Sequence, residues 1–202
     1  MKGVILLNGE PPKELPDPQG AFVVCCDGAL RWAKDRIKID LVLGDFDSLG
    51  YVPQGARVYP SEKNATDGEI ALEYLLDLGC DAISVYGGGG GREDHFFGNL
   101  QLLYAAYLRG VQAVLYTEYT QIFCGSGTIC WENLQGKMLS LAPVGLSAHI
   151  IESEGLKYPL CDLTLTAGSC RGVSNVIESE NARVVCDRGA LFVFVVRKEG
   201  EW

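Results

Sequence analysis

The sequence predicts an α/β protein in two parts, a parallel-sheet, Rossmann-like domain followed by a small all-β sandwich domain. Up to about residue 120, short apolar runs alternate with helical patterns, which is typical of parallel sheets with crossover helices. Beyond that point, strand-like pieces alternate with turns and helical periodicity stops, as in sandwiches and barrels. We therefore expect an α/β domain over 1–120 and a β-sandwich over 121–202.

The first part contains five expected strands and two expected helices. The strands are Val4–Leu7, Phe22–Cys26, Leu41–Leu43, Ile83–Tyr86 and Val111–Tyr116. One helix should run from Asp67 to about Leu78, because a capping box, Thr66-Asp67-Gly68-Glu69, opens it and Gly79 closes it. The other should run from Asp94 to about Arg109.

The second part is expected to consist of short strands. They are Thr120–Cys124, Thr128–Trp131, Lys137–Leu141, Ala148–Ile151, Leu163–Thr166, Arg183–Cys186 and Leu191–Val196. The glycine-containing segment Gly125-Ser126-Gly127 is expected to form the turn between the first two.

Composition excludes some classes of function. The net charge of −9 argues against a nucleic acid partner, since phosphate backbones attract basic surfaces. No apolar stretch is long enough to span a membrane, and the N-terminal apolar run is too short for a signal peptide, so we expect a cytoplasmic protein. The eight cysteines form no CxxC pair, so we expect reduced, buried thiols.

The most informative segment is Gly44-Asp45-Phe46-Asp47-Ser48, which follows the apolar run Leu41–Leu43. In extended backbone, Asp45 and Asp47 would lie on the same side. Two carboxylates so close repel each other unless a cation lies between them. Mg²⁺ binds carboxylate oxygens together with substrate phosphates, so this segment predicts metal-assisted phosphate chemistry.

Other polar residues also follow expected strands. Asp27 follows Phe22–Cys26, and five glycines, residues 87–91, follow Ile83–Tyr86 and precede Arg92. Ligands of open α/β sheets bind at the carboxyl ends of the strands, and consecutive glycine amides can hold an anion. Asp67, in the first turn of its helix, could face the same crevice.

Structural explanations also exist for these residues. Asp27 and Asp94 could be helix N-caps or turn residues, and Thr66 is explained by capping alone. His95 and Asn99 share a helical face at spacing i, i+4 and could be a structural pair, while the glycines could form a flexible loop. Their convergence on one crevice favours function.

Charge indicates a metal. The first 120 residues carry 10 Lys+Arg and 17 Asp+Glu, so this part cannot hold a polyphosphate by charge alone and must recruit metal ions. Lys63 and Arg92 are the cations best placed to touch phosphate oxygens.

At this point the chain resembles the thiamine pyrophosphokinases over nearly its whole length. The motifs that carry the resemblance are Cys26-Asp27-Gly28-Ala29, Gly44-Asp45-Phe46-Asp47-Ser48, Tyr59-Pro60-Ser61-Glu62-Lys63-Asn64-Ala65-Thr66-Asp67, Gly90-Gly91-Arg92-Glu93-Asp94-His95, Gly155-Leu156-Lys157-Tyr158-Pro159-Leu160 and Gly172-Val173-Ser174-Asn175. The chain departs from the family pattern at Ala29, where DGGA is common, and at Asn64, where bacterial members often have Asp.

The resemblance implies a homodimeric enzyme that transfers the diphosphate of ATP to the hydroxyl of thiamine and releases AMP. Its α/β domain over 1–120 would be catalytic, and its β-sandwich over 121–202 would bind thiamine. It implies an Mg²⁺ site at Asp27, Asp45, Asp47 and Asp67. Asp45, Asp47, Asp67 and Asp94 would be catalytic, and ATP would be bound by Asp27, Ser48, Lys63, Thr66, Arg92, His95 and Asn99. Ser174, Asn175 and Phe192 would contact thiamine.

Three other functions share parts of this pattern. An apolar strand followed by DxD also occurs in haloacid-dehalogenase-type phosphatases, although Leu49 stands where those enzymes usually have Thr or Val. DxD also binds metal in nucleotide-sugar transferases. The third alternative is a non-catalytic sensor of nucleotide or thiamine.

If the chain is a thiamine pyrophosphokinase, the proton acceptor for the thiamine hydroxyl could be Asp67 or Asp94.

Overall fold

The computed structural model describes residues 1–15 and 17–197, and its chain divides into two compact units. The first unit comprises Met1–Glu118, and the second begins at Tyr119. The mixed α/β class predicted from the sequence is confirmed. The assignment of catalysis to 1–120 and of thiamine binding to 121–202 stays a prediction.

The first unit is built on a six-stranded sheet. Its strands are β1 (Lys2–Leu6), β2 (Phe22–Cys26), β3 (Leu41–Gly44), β4 (Arg57–Val58), β5 (Ala82–Tyr86) and β6 (Gln112–Tyr116). They lie in the order β6-β5-β1-β2-β3-β4, and every neighbouring pair is parallel. All carboxyl ends therefore lie at one edge. The sequence did not predict β4, because two exposed residues carry no apolar pattern.

Three α-helices connect these strands. They are α1 (Leu30–Ala33), which follows a 3₁₀ turn at Asp27–Ala29, α2 (Asp67–Asp77) and α3 (Glu93–Leu108). The predicted capping box is present: Glu69 N donates to Thr66 Oγ1 at 3.2 Å, and Thr66 N donates to Glu69 Oε2 at 2.7 Å. These bonds satisfy two amides that a helix start leaves free.

The start of α3 differs from the structural explanation considered for Asp94. Its N-cap residue is Arg92, whose side chain makes no capping bond. Asp94 lies within the first turn and accepts a hydrogen bond from His95 N at 3.0 Å. A carboxylate in the first turn is favoured by the helix dipole, so Asp94 is compatible with this position without being the cap.

The first unit buries both faces of its sheet. On one face, Val4, Leu6, Val23 and Cys25 pack with Ala29 and Ala33 of the segment that follows β2. The alternate residues Ile5 and Val24 are also buried, and α2 contacts β1, β2 and β3. Strands buried on both faces read as continuous apolar runs, which is why the sequence identified most of them.

The second unit contains six strands within its described residues, 119–197. They are β7 (Thr120–Glu132), β8 (Met138–Pro143), β9 (Ser147–Glu154), β10 (Leu163–Thr166), β11 (Asn175–Val176) and β12 (Asn181–Val196). All their pairings with one another are antiparallel, and β12 pairs with β7 along most of its length. The N-terminal half of β12 also pairs with β9, and the C-terminal half with β8.

Two expected turns are absent from this unit as the structure describes it. Gly125-Ser126-Gly127 lies within β7, so Thr120–Cys124 and Thr128–Trp131 are one strand. Arg183–Cys186 and Leu191–Val196 are likewise one strand, β12, with a register shift between Cys186 and Leu191. Glycines in a strand often mark a bulge, and here they lie opposite that shift.

The core of the second unit draws residues from every long strand. It includes Ile129, Leu141, Ile150, Leu165 and Val193. Phe192 is buried but has the opposite orientation to its neighbours Leu191 and Val193, because successive side chains of a strand alternate. The finer description of this unit as a sandwich stays a prediction.

The expectation of buried thiols holds for only part of the set. All eight cysteines are free. Cys25, Cys26, Cys80 and Cys186 are buried, Cys124 is partly buried, and Cys130, Cys161 and Cys170 are exposed.

Within 1–15 and 17–197, no helix is both long and apolar enough to cross a membrane.

Candidate active site

A cleft of about 860 Å³ opens at the carboxyl ends of β1, β2, β3 and β5 and at the starts of α2 and α3. Every site residue that the sequence predicted in the first unit lines this cleft. These residues are Asp27, Asp45, Asp47, Ser48, Lys63, Thr66, Asp67, Arg92, Asp94, His95 and Asn99. The shared edge of a parallel sheet brings them together although they are up to 72 positions apart.

Three carboxylates form what we call the acid cluster: Asp27, Asp45 and Asp67, each with one oxygen within 4.8 Å of the others. Asp27 is 8% exposed and has a left-handed backbone with φ of +40°. Ser48 Oγ donates to its Oδ2 at 2.6 Å. Among the described residues, no donor reaches the buried Asp27 Oδ1. Buried polar atoms are rarely left without a partner, so this oxygen indicates a ligand site.

Asp47 lies in the cleft but outside the acid cluster that the described residues form. The expectation that Asp45 and Asp47 share one side of extended backbone is wrong. The strand ends at Gly44, and Phe46 is buried with φ of +62°, so the chain turns between the two acids. Asp47 N instead donates to Asp45 Oδ1 at 3.2 Å. Its role as a metal ligand stays a prediction.

Lys63 supplies the positive charge inside the acid cluster. Its Nζ lies 3.0 Å from Asp45 Oδ2 and 3.3 Å from Asp67 Oδ1. The first contact is a hydrogen bond. The second is an ion pair without hydrogen-bond geometry, which leaves Asp67 Oδ1 buried and, among the described residues, without a hydrogen bond.

This arrangement separates the proton affinities of the two acids. The hydrogen bond from Lys63 lowers the pKa of Asp45. Burial raises the pKa of Asp67, and the charge of Lys63 offsets that rise only in part. Burial lowers the pKa of Lys63, but the hydrogen bond to Asp45 and the charge of Asp67 outweigh it, so the pKa is raised overall. Lys63 therefore remains a cation at neutral pH.

Several lining residues were missed by the sequence analysis, above all the segment Asn8-Gly9-Glu10, which begins two residues after the end of β1. The rule that located Asp27, a polar residue after an apolar run, would have found Asn8. Its Nδ2 lies 3.5 Å from Ser48 Oγ, which in turn bonds Asp27. Gly28 lies beneath both side chains, and a methyl group there would overlap them.

The glycine run is held by its neighbours. Gly9 N and Glu10 N each donate at 2.7 Å, to Gly87 O and Gly89 O respectively. Asn99 Nδ2 donates to Gly88 O at 2.8 Å, so the partner of Asn99 is this loop. Gly87 has φ of +71°, and a Cβ there would overlap Leu7 O. The loop is therefore tied down at three carbonyl groups, which argues against a flexible connection.

Arg92 and Asp94 form a pair at the cleft. The two bonds are Nη2 to Oδ2 at 2.6 Å and Nε to Oδ1 at 3.1 Å. Both side chains are mostly exposed. The hydrogen bond from Arg92 lowers the pKa of Asp94. His95 is exposed beside them.

The predicted thiamine residues have different surroundings from one another. Ser174 is exposed with φ of +61°, and its N donates to Ser140 Oγ at 2.9 Å. Asn175 is 3% exposed; its Oδ1 accepts from Tyr158 N and Val176 N, and its Nδ2 donates to Tyr158 O at 2.7 Å. Asn175 thus holds the Tyr158 loop, and one Nδ2 hydrogen remains for another partner.

Two family models match the chain. The thiamin pyrophosphokinase catalytic-domain model matches residues 18–115, and the thiamin pyrophosphokinase vitamin B1 binding-domain model matches residues 128–191. The chain belongs to the thiamine pyrophosphokinase family. Its activity is accordingly the formation of thiamine diphosphate by transfer of a diphosphate group. The first match contains most of the cleft, including the whole acid cluster.

Relatives and solved structures agree with this membership. The thiamine pyrophosphokinase of Bacillus subtilis (strain 168) is 29% identical over 191 residues, which cover 87% of this chain and 89% of the relative. Thiamine pyrophosphokinase 1 of Oryza sativa subsp. japonica is 24% identical, covering 96% and 87%. The crystal structure of the Bacillus subtilis thiamine pyrophosphokinase matches with a TM-score of 0.81 and 25% identity, over 98% of this chain and 99% of that chain.

Proposed function

We propose that this chain transfers the terminal diphosphate of ATP to the hydroxyl of thiamine in an Mg²⁺-dependent reaction in the cytoplasm. The observation that carries the metal assignment is the acid cluster with its buried Asp27 Oδ1, to which no described residue donates. Carboxylate oxygens are the ligands Mg²⁺ prefers, so the residues present fit the ion. We expect neither nucleic acid nor a membrane among the partners.

The reaction makes one bond and breaks one. The thiamine hydroxyl oxygen bonds to the β-phosphorus of ATP, the bond from that phosphorus to the α,β-bridging oxygen breaks, and AMP departs with the electron pair. When bound, Mg²⁺ would neutralise charge on the transferred group and on AMP. Asp27, Asp45 and Asp67 would hold the ion, with Asp47 at the same end of the cleft.

The hydroxyl proton needs an acceptor, and Asp67 and Asp94 are the two candidates. Burial raises the pKa of Asp67, but a carboxylate that holds Mg²⁺ is a weak base. The hydrogen bond from Arg92 lowers the pKa of Asp94. Neither acid is therefore favoured by its electrostatics.

The remaining residues of the cleft would bind the nucleotide. Arg92 would contact phosphate oxygens, since it borders both the glycine loop and the start of α3, where anions are favoured. Ser48 holds Asp27, and Asn99 holds the glycine loop. Thr66 would act through its cap of α2, and His95 through its exposed ring. In the second unit, Ser174 and Phe192 would contact thiamine, and Asn175 would hold the loop beside them.

This function is tested by identifying the product formed from ATP, which is AMP for diphosphate transfer and ADP for transfer of a single phosphate. We expect protein mixed with Mg²⁺, ATP and thiamine to form AMP and thiamine diphosphate in equal amounts. Formation of ADP and thiamine monophosphate would contradict the proposal, as would phosphate release that does not depend on thiamine, the result expected of a phosphatase. Binding without turnover would indicate a sensor. Omitting thiamine is the matched control.

We further propose that the enzyme is a homodimer whose sites combine the acid cluster of one chain with the thiamine residues of the other. The test refolds an Asp45→Asn chain together with a chain in which Ser174 and Asn175 are both Ala. Random mixing should restore roughly a quarter of wild-type activity, because half of the dimers are mixed and each has one intact site. Activity no higher than that of the separate mutants would exclude a shared site.

A further inference from the structure

The contacts of Lys63 in the cleft indicate a role beyond substrate binding. Its ammonium group is the partner of two of the three carboxylates of the acid cluster, at 3.0 and 3.3 Å. Its side chain is 15% exposed, and those of Asp45 and Asp67 are 17% and 20% exposed. The contacts are therefore shielded from water, unlike an ordinary surface ion pair.

The acid cluster needs this charge when no other cation is bound. Three carboxylates whose oxygens lie within 4.8 Å of one another repel strongly in a partly buried place. Lys63 relieves that repulsion at Asp45 and Asp67, but Asp27 Oδ1 receives nothing from the described residues. The compensation is incomplete, which leaves the cluster able to attract a further positive charge.

A divalent cation and the Lys63 ammonium would compete for the same oxygens. Both are stabilised by Asp45 and Asp67, and two cations so close would repel each other. Lys63 lies in the loop before α2, outside any helix or strand, and its four-carbon stem is flexible. Its ammonium can therefore leave the carboxylates while the backbone stays in place.

We propose that Lys63 is the internal counter-ion of the acid cluster, that an entering divalent cation displaces it, and that the released ammonium then binds phosphate oxygens of the nucleotide. The inference rests on the metal assignment made above. Lys63 is thus a positioning residue that holds three acids together before the metal arrives and a phosphate ligand afterwards.

The proposal predicts effects of opposite sign in one variant. Lys63→Met removes the competitor, so the metal alone should bind more tightly. The same change removes a phosphate contact, so the nucleotide–metal complex should bind less tightly. A lysine with a merely structural role would weaken both, and a simple phosphate ligand would leave binding of the metal alone unchanged.

The experiment measures Mn²⁺ binding to the free protein from the paramagnetic resonance signal of unbound Mn²⁺. We expect the Kd of Lys63→Met for Mn²⁺ to fall at least about fivefold below wild type, the lower end of typical coupling between two ligands. With the α,β-methylene analogue of ATP present, its Kd for the nucleotide should rise instead. Lys63→Arg, which keeps the charge, should stay closer to wild type in both.

Lys38→Met is the matched control, because it makes the same change of charge at an exposed lysine that does not line the cleft. Its Mn²⁺ affinity should equal that of wild type. Thermal unfolding guards against misfolding: Lys63→Met should be less stable than wild type without metal and gain more from Mn²⁺. Lys63→Gln should show the same loss of stability without metal and the same larger gain from Mn²⁺ as Lys63→Met.

Two failures are distinguishable. If wild type binds Mn²⁺ in a way that Asp45→Asn abolishes, but Lys63→Met binds no more tightly than wild type, the counter-ion role is overturned and the metal assignment stands. If neither wild type nor Lys63→Met binds Mn²⁺ with or without the nucleotide analogue, the metal assignment fails and the inference fails with it.

Discussion

The two units each gather carboxylates around one basic residue, with different results. In the first unit, Asp45 and Asp67 of the acid cluster contact the ammonium of Lys63, and Asp27 Oδ1 and Asp67 Oδ1 receive no hydrogen bond from the described residues. In the second unit, His149 Nδ1 lies 2.5 Å from Asp187 Oδ1, and Nε2 lies 3.1 Å from Asp162 Oδ1. We call this second group the histidine centre.

The difference lies in what remains unsatisfied. Each ring nitrogen of His149 has a carboxylate partner, Nδ1 in Asp187 and Nε2 in Asp162. The histidine ring therefore has no nitrogen left to bind a ligand. In the acid cluster two acids share one ammonium group, and no described residue donates to Asp27 Oδ1. Buried polar atoms without partners are costly unless a ligand satisfies them. The comparison shows that a ligand site is indicated by buried polar atoms without hydrogen-bond partners and not by the number of charged groups.

The largest expected effect is that of Asp45→Asn. Removing one preorganised charged group typically lowers the rate by about two to three orders of magnitude, and we expect such a loss of kcat/KM with the fold intact. Asp47→Asn, outside the acid cluster, should lose less. Steady-state kinetics at saturating Mg²⁺ measure both, with circular dichroism as the control for folding. Equal, near wild-type turnover in both variants would break the comparison.

Ser48→Ala should sharpen the comparison, since it removes the bond that holds Asp27 Oδ2. Residues that orient metal ligands typically contribute about 10- to 100-fold in metal affinity, so we expect a loss of that size in Mn²⁺ affinity. Calorimetric titration of wild type and variant gives the ratio. An unchanged affinity would show that Asp27 is oriented without Ser48.

Arg92→Ala should have a smaller effect, confined to the nucleotide. Loss of one charge-assisted hydrogen bond corresponds to about tenfold in binding, so the KM for ATP should rise by that factor while thiamine binding stays the same. Separate titrations with ATP and with thiamine check this. A change in thiamine affinity of the same size would contradict it.

The histidine centre should affect stability and not rate, and this is the smallest effect. Hydrogen bonds to Asp187 and Asp162 raise the pKa of His149 above its usual 6.5, although burial and nearby Arg188 oppose the rise. A raised folded-state pKa stabilises the fold below about pH 6.5, and this stabilisation is lost as the pH rises through the folded value.

The melting temperature should therefore fall as the pH rises above about 6.5, and less so in His149→Asn. Melting curves of both proteins across this range, at constant ionic strength, measure the difference. Identical pH profiles would contradict the assignment, and a loss of turnover without loss of stability would move the histidine centre into the active site.

Sequence patterns identified the first unit well, because its determinants are local. β2 matches its expected bounds, and α2 and α3 begin within one residue of expectation. The second unit was harder, since β7 and β12 cross glycines and a register shift that only strand pairing explains. The two-residue strands β4 and β11 form by pairing with longer strands and leave no pattern of their own.

The candidate site shows the same division. Strand ends, helix starts and the family motifs predicted which residues reach the cleft, and every predicted residue of the first unit lines it. Three of the four predicted metal ligands, Asp27, Asp45 and Asp67, form the acid cluster. The exclusion of Asp47 could not be predicted, because it depends on the left-handed backbone of Phe46. The hydrogen bonds of Asn175 to its own loop could not be predicted either, because the residue type does not show whether an asparagine amide binds a ligand or another part of the chain.

One measurement compares the two regions in a single sample. Mn²⁺ added in small steps to isotopically labelled protein broadens the amide resonances of residues close to the ion. We predict broadening at Asp27, at 44–47 and at Asp67 that disappears in Asp45→Asn, and no binding of Mn²⁺ by the histidine centre itself. Broadening around the histidine centre at the same or lower Mn²⁺ concentration, with the acid cluster unaffected, would contradict the account.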